Sequence, residues 1–187
     1  ANDKILIIDL DLVPIIERII NDCPNVEKLV ILCSREDLPS TEFSEVISYE
    51  ELLSMGSENF EWITGEETDA CGICYTSGTT GNPKGVVYTH RSNTLHALTQ
   101  AAPDMLNLSS SDTIMPVVPL FHANGWSIAY TAPLVGSSIV FPGGDLSPSS
   151  LYDMLEKGVT ITAAVPTVWL LLLNFLESEK KELSSLK

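Results

Sequence analysis

Tyr75-Thr-Ser-Gly-Thr-Thr-Gly-Asn-Pro-Lys-Gly85 is the most informative stretch of this 187-residue chain. It contains four Ser or Thr hydroxyls, three glycines and one cation, Lys84. Glycines let backbone N–H groups approach phosphate oxygens, hydroxyls add donors, and the lysine supplies a mobile positive charge. Strand-like runs at 70–76 and 86–88 flank the stretch. We therefore predict a loop between two strands that binds an oligophosphate.

Two other interpretations of this loop have to be weighed. A P-loop reads Gly-x-x-x-x-Gly-Lys-Ser/Thr, but counting from Gly78 the second glycine is replaced by Pro83. Gly85 also stands where the magnesium-binding hydroxyl would be, and a strand follows where a P-loop needs a helix. The pattern disfavours a Walker-type site, while a plain polar hairpin turn stays open.

The rest of the chain predicts an α/β fold with a mostly parallel sheet flanked by helices. Helix patterns alternate with strand-like runs at 4–8, 26–32, 113–118, 138–141 and 161–165. Such alternation is typical of parallel sheets, which bind ligands beyond the carboxyl ends of their strands. We expect an acidic α/β lead-in segment at 1–69 and a functional segment at 70–187.

Several helix ends and faces can be predicted. Ser147 should cap a helix with Pro148 at its first position, and Thr167 should cap an apolar helix at 168–176. The helix after the glycine-rich loop has apolar residues at helical spacing, which predicts a single buried stripe. The stripe comprises Leu95, Leu98, Ala102 and Met105.

The charge balance argues against nucleic acid as a partner. The formal net charge is −15, and residues 1–69 alone hold 17 acidic and 4 basic side chains. Proteins that bind nucleic acid need clustered Lys and Arg to replace phosphate counterions. A single nucleotide stays compatible, because small phosphate sites rely on backbone N–H groups and one or two local cations.

No segment has the pattern of a secretory signal or a membrane span. The N-terminus lacks a basic region followed by a long apolar run. The most apolar stretch, 161–176, contains Pro166 and Asn174 and falls short of the roughly 20 residues that a span needs. We expect a cytoplasmic location and no transmembrane segment.

The cysteines do not predict a metal site. Cys71-Gly-Ile-Cys74 has the spacing of half a zinc knuckle, but the chain offers no second pair at a matching spacing. Positions i and i+3 of a strand also point to opposite faces. We expect two buried small residues in a strand and no metal ligands.

Residues 75–85 closely resemble the signature loop of the adenylate-forming (AMP-binding) superfamily. This superfamily includes acyl-CoA synthetases, luciferases and peptide-synthetase adenylation domains. Residues 86–92, Val-Val-Tyr-Thr-His-Arg-Ser, resemble the strand and helix start that follow this loop. Residues 118–126, Val-Pro-Leu-Phe-His-Ala-Asn-Gly-Trp, resemble the next motif in the form common in fatty-acyl-CoA synthetases. A third similar segment is 164–169, Ala-Val-Pro-Thr-Val-Trp.

The resemblance implies a reaction and a set of site residues. Family members activate a carboxylate by attack on the α-phosphate of ATP, release pyrophosphate, and pass the acyl group to a thiol, usually coenzyme A. Mg²⁺ would share the charge compensation, and His122 would lie nearest the reacting carboxylate as a catalytic and substrate-binding residue. The residues implied for the β- and γ-phosphates are Thr76, Ser77, Gly78, Thr79, Thr80, Gly81 and Lys84. Those implied for the wall of the acyl pocket are Phe121, Trp126, Val165, Pro166 and Thr167.

The resemblance covers most of 70–176 and implies part of an N-terminal domain, with the family's C-terminal domain absent. We therefore expect a fatty-acid–CoA ligase whose complete activity needs more than these residues. Aryl or amino acids are alternative substrates, and a homodimer is compatible with the resemblance. A non-catalytic nucleotide-binding module and a phosphotransferase that uses Lys84 remain as alternative functions.

Overall fold

The computed structural model describes residues 2–78 and 81–187. The chain forms two compact units, Ala1–Ile63 and Thr64–Lys187. Both units contain parallel strands with helices packed on them, so the predicted α/β class is confirmed. Within the described residues, no helix is long and apolar enough to cross a membrane.

The first unit is a three-stranded parallel sheet in the order β1-β2-β3. Its strands are Ile5–Asp9 (β1), Lys28–Leu32 (β2) and Val46–Ser48 (β3). The helix Val13–Ile19, with a 3-10 turn at each end, connects β1 to β2, and the helix Tyr49–Ser54 follows β3. Ile8, Val13, Leu29 and Ile31 form its core. We did not predict β3, because it is three residues long and lies in a polar, acidic stretch.

The second unit combines an antiparallel hairpin with a parallel sheet. The hairpin is formed by Ala70–Thr76 (β4) and Lys84–Thr89 (β5). The sheet has the order β7-β6-β8, with strands Thr113–Val117 (β6), Ser138–Ile139 (β7) and Ile161–Ala164 (β8). Its helices are His90–Ala101, Ile128–Val135, Pro148–Leu155 and Pro166–Glu179.

Strand β6 is the centre of the second unit and is covered on both faces. Ile114 belongs to a buried cluster that includes Ile128, whereas its neighbour Met115 belongs to another cluster with Leu151 and Leu155. Both faces of this strand therefore meet helices, and a parallel strand buried on both faces needs a continuous apolar run. That need explains the run of apolar residues at 114–118.

A buried carboxylate fixes the beginning of β6 against the beginning of β8. Asp112 accepts hydrogen bonds from the Ser109 hydroxyl at 2.7 Å, the Ser109 N–H at 3.0 Å and the Thr160 hydroxyl at 2.8 Å. The Lys187 ammonium donates to the same carboxylate at 2.5 Å. The ammonium, followed by these hydrogen bonds, holds the pKa of Asp112 well below its ordinary range.

The predicted helix ends had different outcomes. Ser147 accepts a hydrogen bond from the Ser150 N–H at 3.4 Å, and the helix begins at Pro148, as predicted. The cap at Thr167 is wrong, because the helix begins at Pro166, two residues before the predicted start at 168, with Val165 as its N-cap. Proline takes the first helical position readily, since its φ is already helical and it has no N–H to leave unpaired.

The predicted stripe on the helix His90–Ala101 is also wrong. Leu95 and Leu98 are more than half exposed, and Met105 lies beyond the end of the helix. The buried residue is Ala97, and the helix packs against Ile128–Val135. Cys71, expected to be buried, is exposed, and Cys74 is half-buried.

Candidate functional site

The glycine-rich stretch connects the two strands of the hairpin, as predicted. Thr76, the last residue of β4, lies opposite Lys84, the first residue of β5. Gly78 has a φ of +63°, and a Cβ added there would lie 2.9 Å from the carbonyl oxygen of Asn82. The loop therefore folds back on itself at a place where only glycine fits without strain. Gly81, with a φ of +116°, makes a second turn that favours glycine.

Most of the residues predicted to bind phosphate are accessible to solvent. Thr76, Ser77, Gly81 and Lys84 are exposed, and Gly78 is half-buried. Thr79 and Thr80 lie outside the described residues. Within the described part of the chain, Lys84 forms no ion pair, so its ammonium is available to an anion. The loop thus presents hydroxyl donors, glycine backbone and one cation to solvent.

Gly85 has a packing role at the base of the hairpin. A Cβ at this position would lie 3.1 Å from Cγ2 of Ile73 and 3.3 Å from Cζ of Tyr75. The Tyr75 ring therefore lies over the glycine across the two strands. In a P-loop this position carries a hydroxyl for magnesium, so the hairpin differs from a P-loop in geometry as well as in sequence.

His122 lies beyond the carboxyl end of β6, where its backbone N–H donates to the carbonyl of Pro119 at 3.0 Å. Its side chain is exposed. The five residues that follow, 123–127, all have positive φ, between 47° and 66°. Four of them are not glycine, and a left-handed conformation costs about 1–2 kcal/mol for each such residue. The surrounding structure must therefore hold this left-handed turn in place.

Several contacts hold the left-handed turn. The Gly125 N–H donates to the carbonyl of His122 at 3.1 Å, and the Ser127 carbonyl accepts from the Thr131 hydroxyl at 2.9 Å. The Trp126 ring packs on the buried cluster that contains Ile114. The hydroxyl of Ser127 is buried and has no hydrogen-bond partner within the described residues.

One hydrogen bond joins the left-handed turn to the glycine-rich hairpin. The Cys74 thiol donates to Oδ1 of Asn124, with 3.5 Å between the sulfur and the oxygen. Cys74 precedes Thr76 by two residues, and Asn124 follows His122 by two residues. The structure therefore brings the beginning of the glycine-rich loop close to the turn that carries His122. Neither Cys74 nor Asn124 is predicted as a site residue from the sequence.

The third predicted segment lies at the same edge of the parallel sheet. Val117 at the end of β6 pairs with Ala164 at the end of β8, so both strands end side by side. The residues after β8, Val165, Pro166 and Thr167, are exposed. Phe121 is 80% exposed, whereas Trp126 is half-buried against the core. Ligands of open α/β sheets bind at this carboxyl edge.

Cavities occur at both edges of the sheet. At the carboxyl edge, an apolar cavity of about 250 Å³ is lined by residues that include Val117, Leu120, Phe141 and Leu146. Phe141 and Leu146 were not predicted, because only the fold brings the segment after β7 next to β6. A cavity of about 620 Å³ beside Asp112 lies at the amino edge of the sheet, whereas open α/β sheets bind ligands at the carboxyl edge.

The residues of the hairpin loop suit phosphate oxygens better than they suit a metal ion bound by protein side chains alone. Among residues 2–78 and 81–187, no three His, Cys, Asp or Glu side chains are grouped so that they could hold a metal ion. The hairpin offers donors and a cation, which suit phosphate oxygens. Mg²⁺ at this site would therefore depend on the phosphates themselves and on ligands from elsewhere.

Comparisons with known proteins identify the family of this chain. The family model of AMP-binding enzymes matches residues 2–187. The medium-chain-fatty-acid–CoA ligase of Ectopseudomonas oleovorans is 45% identical over 170 residues, which are 90% of this chain and 31% of that protein. The long-chain-fatty-acid–CoA ligase of Thermus thermophilus is 43% identical over 188 residues, which are 100% of this chain and 33% of that protein.

A solved structure extends the likeness to three dimensions. The crystal structure of the anthranilate CoA ligase AuaEII in complex with anthranoyl-AMP matches with a TM-score of 0.81 and 25% identity. The match covers 100% of this chain and 35% of that one. The fold is thus that of the AMP-binding enzymes. The chain belongs to the AMP-binding enzyme family, and it spans about a third of the length of the curated relatives it matches.

Proposed function

We propose that this chain supplies the phosphate-binding loop and part of the acyl pocket of an ATP-dependent fatty-acid–CoA ligase. The observation that carries the proposal is the Cys74–Asn124 hydrogen bond, which joins the phosphate loop to the turn that carries His122. An anion-binding loop and a carboxylate-orienting side chain have to lie close together if a carboxylate is to attack a phosphate. Complete activity is proposed for a longer protein that contains this chain.

In the proposed first step, a carboxylate oxygen of the acid attacks the α-phosphorus of ATP. The bond from that phosphorus to the bridging oxygen breaks, and pyrophosphate leaves with the electron pair. Backbone N–H groups of the loop, with the hydroxyls of Thr76 and Ser77, hold the β- and γ-phosphates, and Lys84 balances the charge that grows on the leaving group. Mg²⁺ would share this charge, and Gly78 and Gly81 let the backbone approach the phosphates.

His122 is proposed to orient the carboxylate. A carboxylic acid is already ionised near neutral pH, so this step needs no general base. In the second step the sulfur of coenzyme A attacks the acyl carbonyl carbon, and AMP leaves. The exposed Val165, Pro166 and Thr167, together with Trp126, are proposed to limit the shape of the acyl chain at the carboxyl edge of the sheet.

A fatty acid is the favoured substrate because the two curated relatives at 45% and 43% identity are named as medium- and long-chain fatty-acid–CoA ligases. The apolar cavity beside Leu120 and Phe141 agrees with an apolar acyl chain. An aryl acid is the second candidate, since the anthranilate ligase shares the fold at 25% identity. We keep the cytoplasmic location and the homodimer as predictions, which fractionation and size-exclusion chromatography of the longer protein would test.

Acid-dependent ATP–pyrophosphate exchange in the longer protein tests the proposal. A panel of fatty, aryl and amino acids would be compared, and the fatty acids are expected to give the highest kcat/KM. His122→Ala should lower kcat/KM for the acid about tenfold or more, because one orienting contact is lost. His122→Gln, which keeps a side-chain donor, is the matched control and should lose less.

Two results would contradict the proposal. Absence of acid-dependent exchange with every acid would favour a non-catalytic nucleotide-binding module. Formation of ADP in place of AMP would favour a phosphotransferase. The 187-residue chain alone is expected to form no acyl-CoA, and thioester formation by it would show that the remaining two thirds of the family's length are dispensable.

A further inference from the structure

Asn124 occupies a distinctive place in the second unit. It lies in the left-handed turn with a φ of 53° and a ψ of 43°, two residues after His122. Asparagine is among the few side chains other than glycine that adopt this backbone conformation readily. Its neighbours Ala123 and Trp126 have no such preference, yet they also have positive φ. Asn124 is therefore the residue, besides Gly125, whose chemistry suits this turn.

Asn124 also makes the contact that leads out of the turn. Its Oδ1 accepts the Cys74 thiol hydrogen bond across 50 positions of sequence. Within the described residues, the other hydrogen bonds of the turn stay local, for example from the Gly125 N–H to the His122 carbonyl and from the Thr131 hydroxyl to the Ser127 carbonyl. Asn124 thus combines the left-handed backbone conformation with a side-chain hydrogen bond to β4.

The position of this link gives it a consequence for the reaction. Cys74 is in β4, which ends at Thr76, where the phosphate loop begins. Its partner across the hairpin is Val86, so the thiol is part of the paired region rather than of the loop itself. A shift of Asn124 would move His122 relative to β4, and misplacement of reacting groups by about 1 Å can lower a rate substantially.

We propose that Asn124 is a positioning residue, which holds the left-handed turn against Cys74 and so fixes His122 relative to the phosphate loop. The inference rests on the proposed function for its kinetic part. Asn124 touches neither substrate in this scheme and acts through His122. Cys74 serves as its hydrogen-bond partner and takes no part in the chemistry.

The kinetic test uses the longer protein and separates backbone from side chain. Asn124→Gly keeps the left-handed conformation and removes the amide, and Cys74→Ala removes the thiol donor. Each should lower kcat of acid-dependent ATP–pyrophosphate exchange about threefold to tenfold, the range expected for one hydrogen bond. KM for ATP should stay within about twofold, because the loop itself is unchanged.

A double variant and two controls make the test specific. Asn124→Gly combined with Cys74→Ala should be no slower than the slower single variant, because both remove the same contact. Cys74→Ser, which keeps a hydrogen-bond donor, should restore kcat to within about twofold of the unmodified protein. Cys71 is in the same strand, and its thiol contacts Asn93 rather than Asn124. Cys71→Ala should therefore leave kcat unchanged.

A second readout does not depend on activity. The rate at which iodoacetamide alkylates Cys74, mapped by mass spectrometry, should rise about threefold to tenfold in Asn124→Gly, because the side chain that is hydrogen-bonded to the thiol is gone. The rate at Cys71 should not change. If the unmodified protein shows no exchange, the proposed function fails, and the alkylation rates still decide whether Asn124 holds Cys74.

Two results would overturn the inference. One is an Asn124→Gly variant with unchanged kcat and an unchanged alkylation rate at Cys74. The other is a double variant whose loss equals the product of the two single losses, because independent effects would multiply. A loss of kcat that follows only the folded fraction, measured by circular dichroism, would show a structural role and would overturn it as well.

Discussion

Replacement of Asp112 should destabilise the second unit strongly. Its side chain is 2% exposed and accepts hydrogen bonds from Ser109, Thr160 and Lys187. The Lys187 side chain is 59% exposed, so we assign that ion pair at most about 1 kcal/mol. The bonds from Ser109 and Thr160 are each worth about 1 kcal/mol net, and their donors would lose a partner. Asp112→Ala should therefore lower the free energy of unfolding by about 3 kcal/mol.

Urea unfolding of the 187-residue chain, followed by tryptophan fluorescence, measures this loss. If the free energy of unfolding falls by about 2 kcal/mol per molar urea, the midpoint of unfolding should fall by about 1.5 M. Asp112→Asn keeps the shape and one acceptor, so it should lose about half as much. Asp153→Asn, at an exposed carboxylate on the helix Pro148–Leu155, is the matched control and should shift the midpoint little. A loss for Asp112→Ala no larger than for the control would refute the reasoning.

The same carboxylate predicts a pH dependence. The folded state holds the pKa of Asp112 below its ordinary value of 3.8, so the folded state binds a proton less readily than the unfolded state. The stabilisation is therefore present above the ordinary pKa and is lost as the pH falls below it. The gap in unfolding free energy between the unmodified chain and Asp112→Asn should shrink between pH 5 and pH 3. A gap that stays constant over this interval would contradict the assignment.

Changes at four further positions test the site and the turn. Lys84→Ala in the longer protein should lower kcat for ATP–pyrophosphate exchange about 100-fold, with Lys84→Arg retaining more, and an unchanged rate would remove Lys84 from the site. Gly78→Ala should weaken ATP binding in calorimetry about tenfold, because the new Cβ would lie 2.9 Å from the Asn82 carbonyl at a φ of +63°. Ser127→Ala should leave the urea midpoint unchanged or raise it, since its buried hydroxyl has no described partner. Thr131→Val should lower the free energy of unfolding by about 1 kcal/mol, because the Thr131 hydroxyl donates to the Ser127 carbonyl. A destabilising Ser127→Ala would show that the hydroxyl has a partner after all.

The sequence predicted those parts of the structure that depend on local chemistry. The loop between β4 and β5 could be placed because its glycines and hydroxyls lie between two strand-like runs, which indicates a turn. The helix at Pro148 could be placed because serine and proline have specific roles in the first turn. The same rule, applied without regard to Pro166, misplaced the cap at Thr167.

The parts that escaped prediction depend on contacts distant in sequence. Positive φ at Ala123 and Trp126 cannot be inferred from these residues, which ordinarily avoid it, and the Asn-Gly pair between them indicates only a turn. The Cys74–Asn124 bond joins residues 50 positions apart. Cys74 has a simple explanation as a strand residue, so nothing in its own sequence context pointed to the site.

Transfer of ¹⁸O from the carboxylate to AMP tests the central claim most directly. The longer protein would be given ATP, coenzyme A and a fatty acid labelled with ¹⁸O in both carboxylate oxygens, and the AMP would be examined by mass spectrometry. Attack of the carboxylate on the α-phosphorus predicts one ¹⁸O in each AMP and none in pyrophosphate. Unlabelled AMP, or label in inorganic phosphate beside ADP, would contradict the assignment of this hairpin loop to an adenylate-forming ligase.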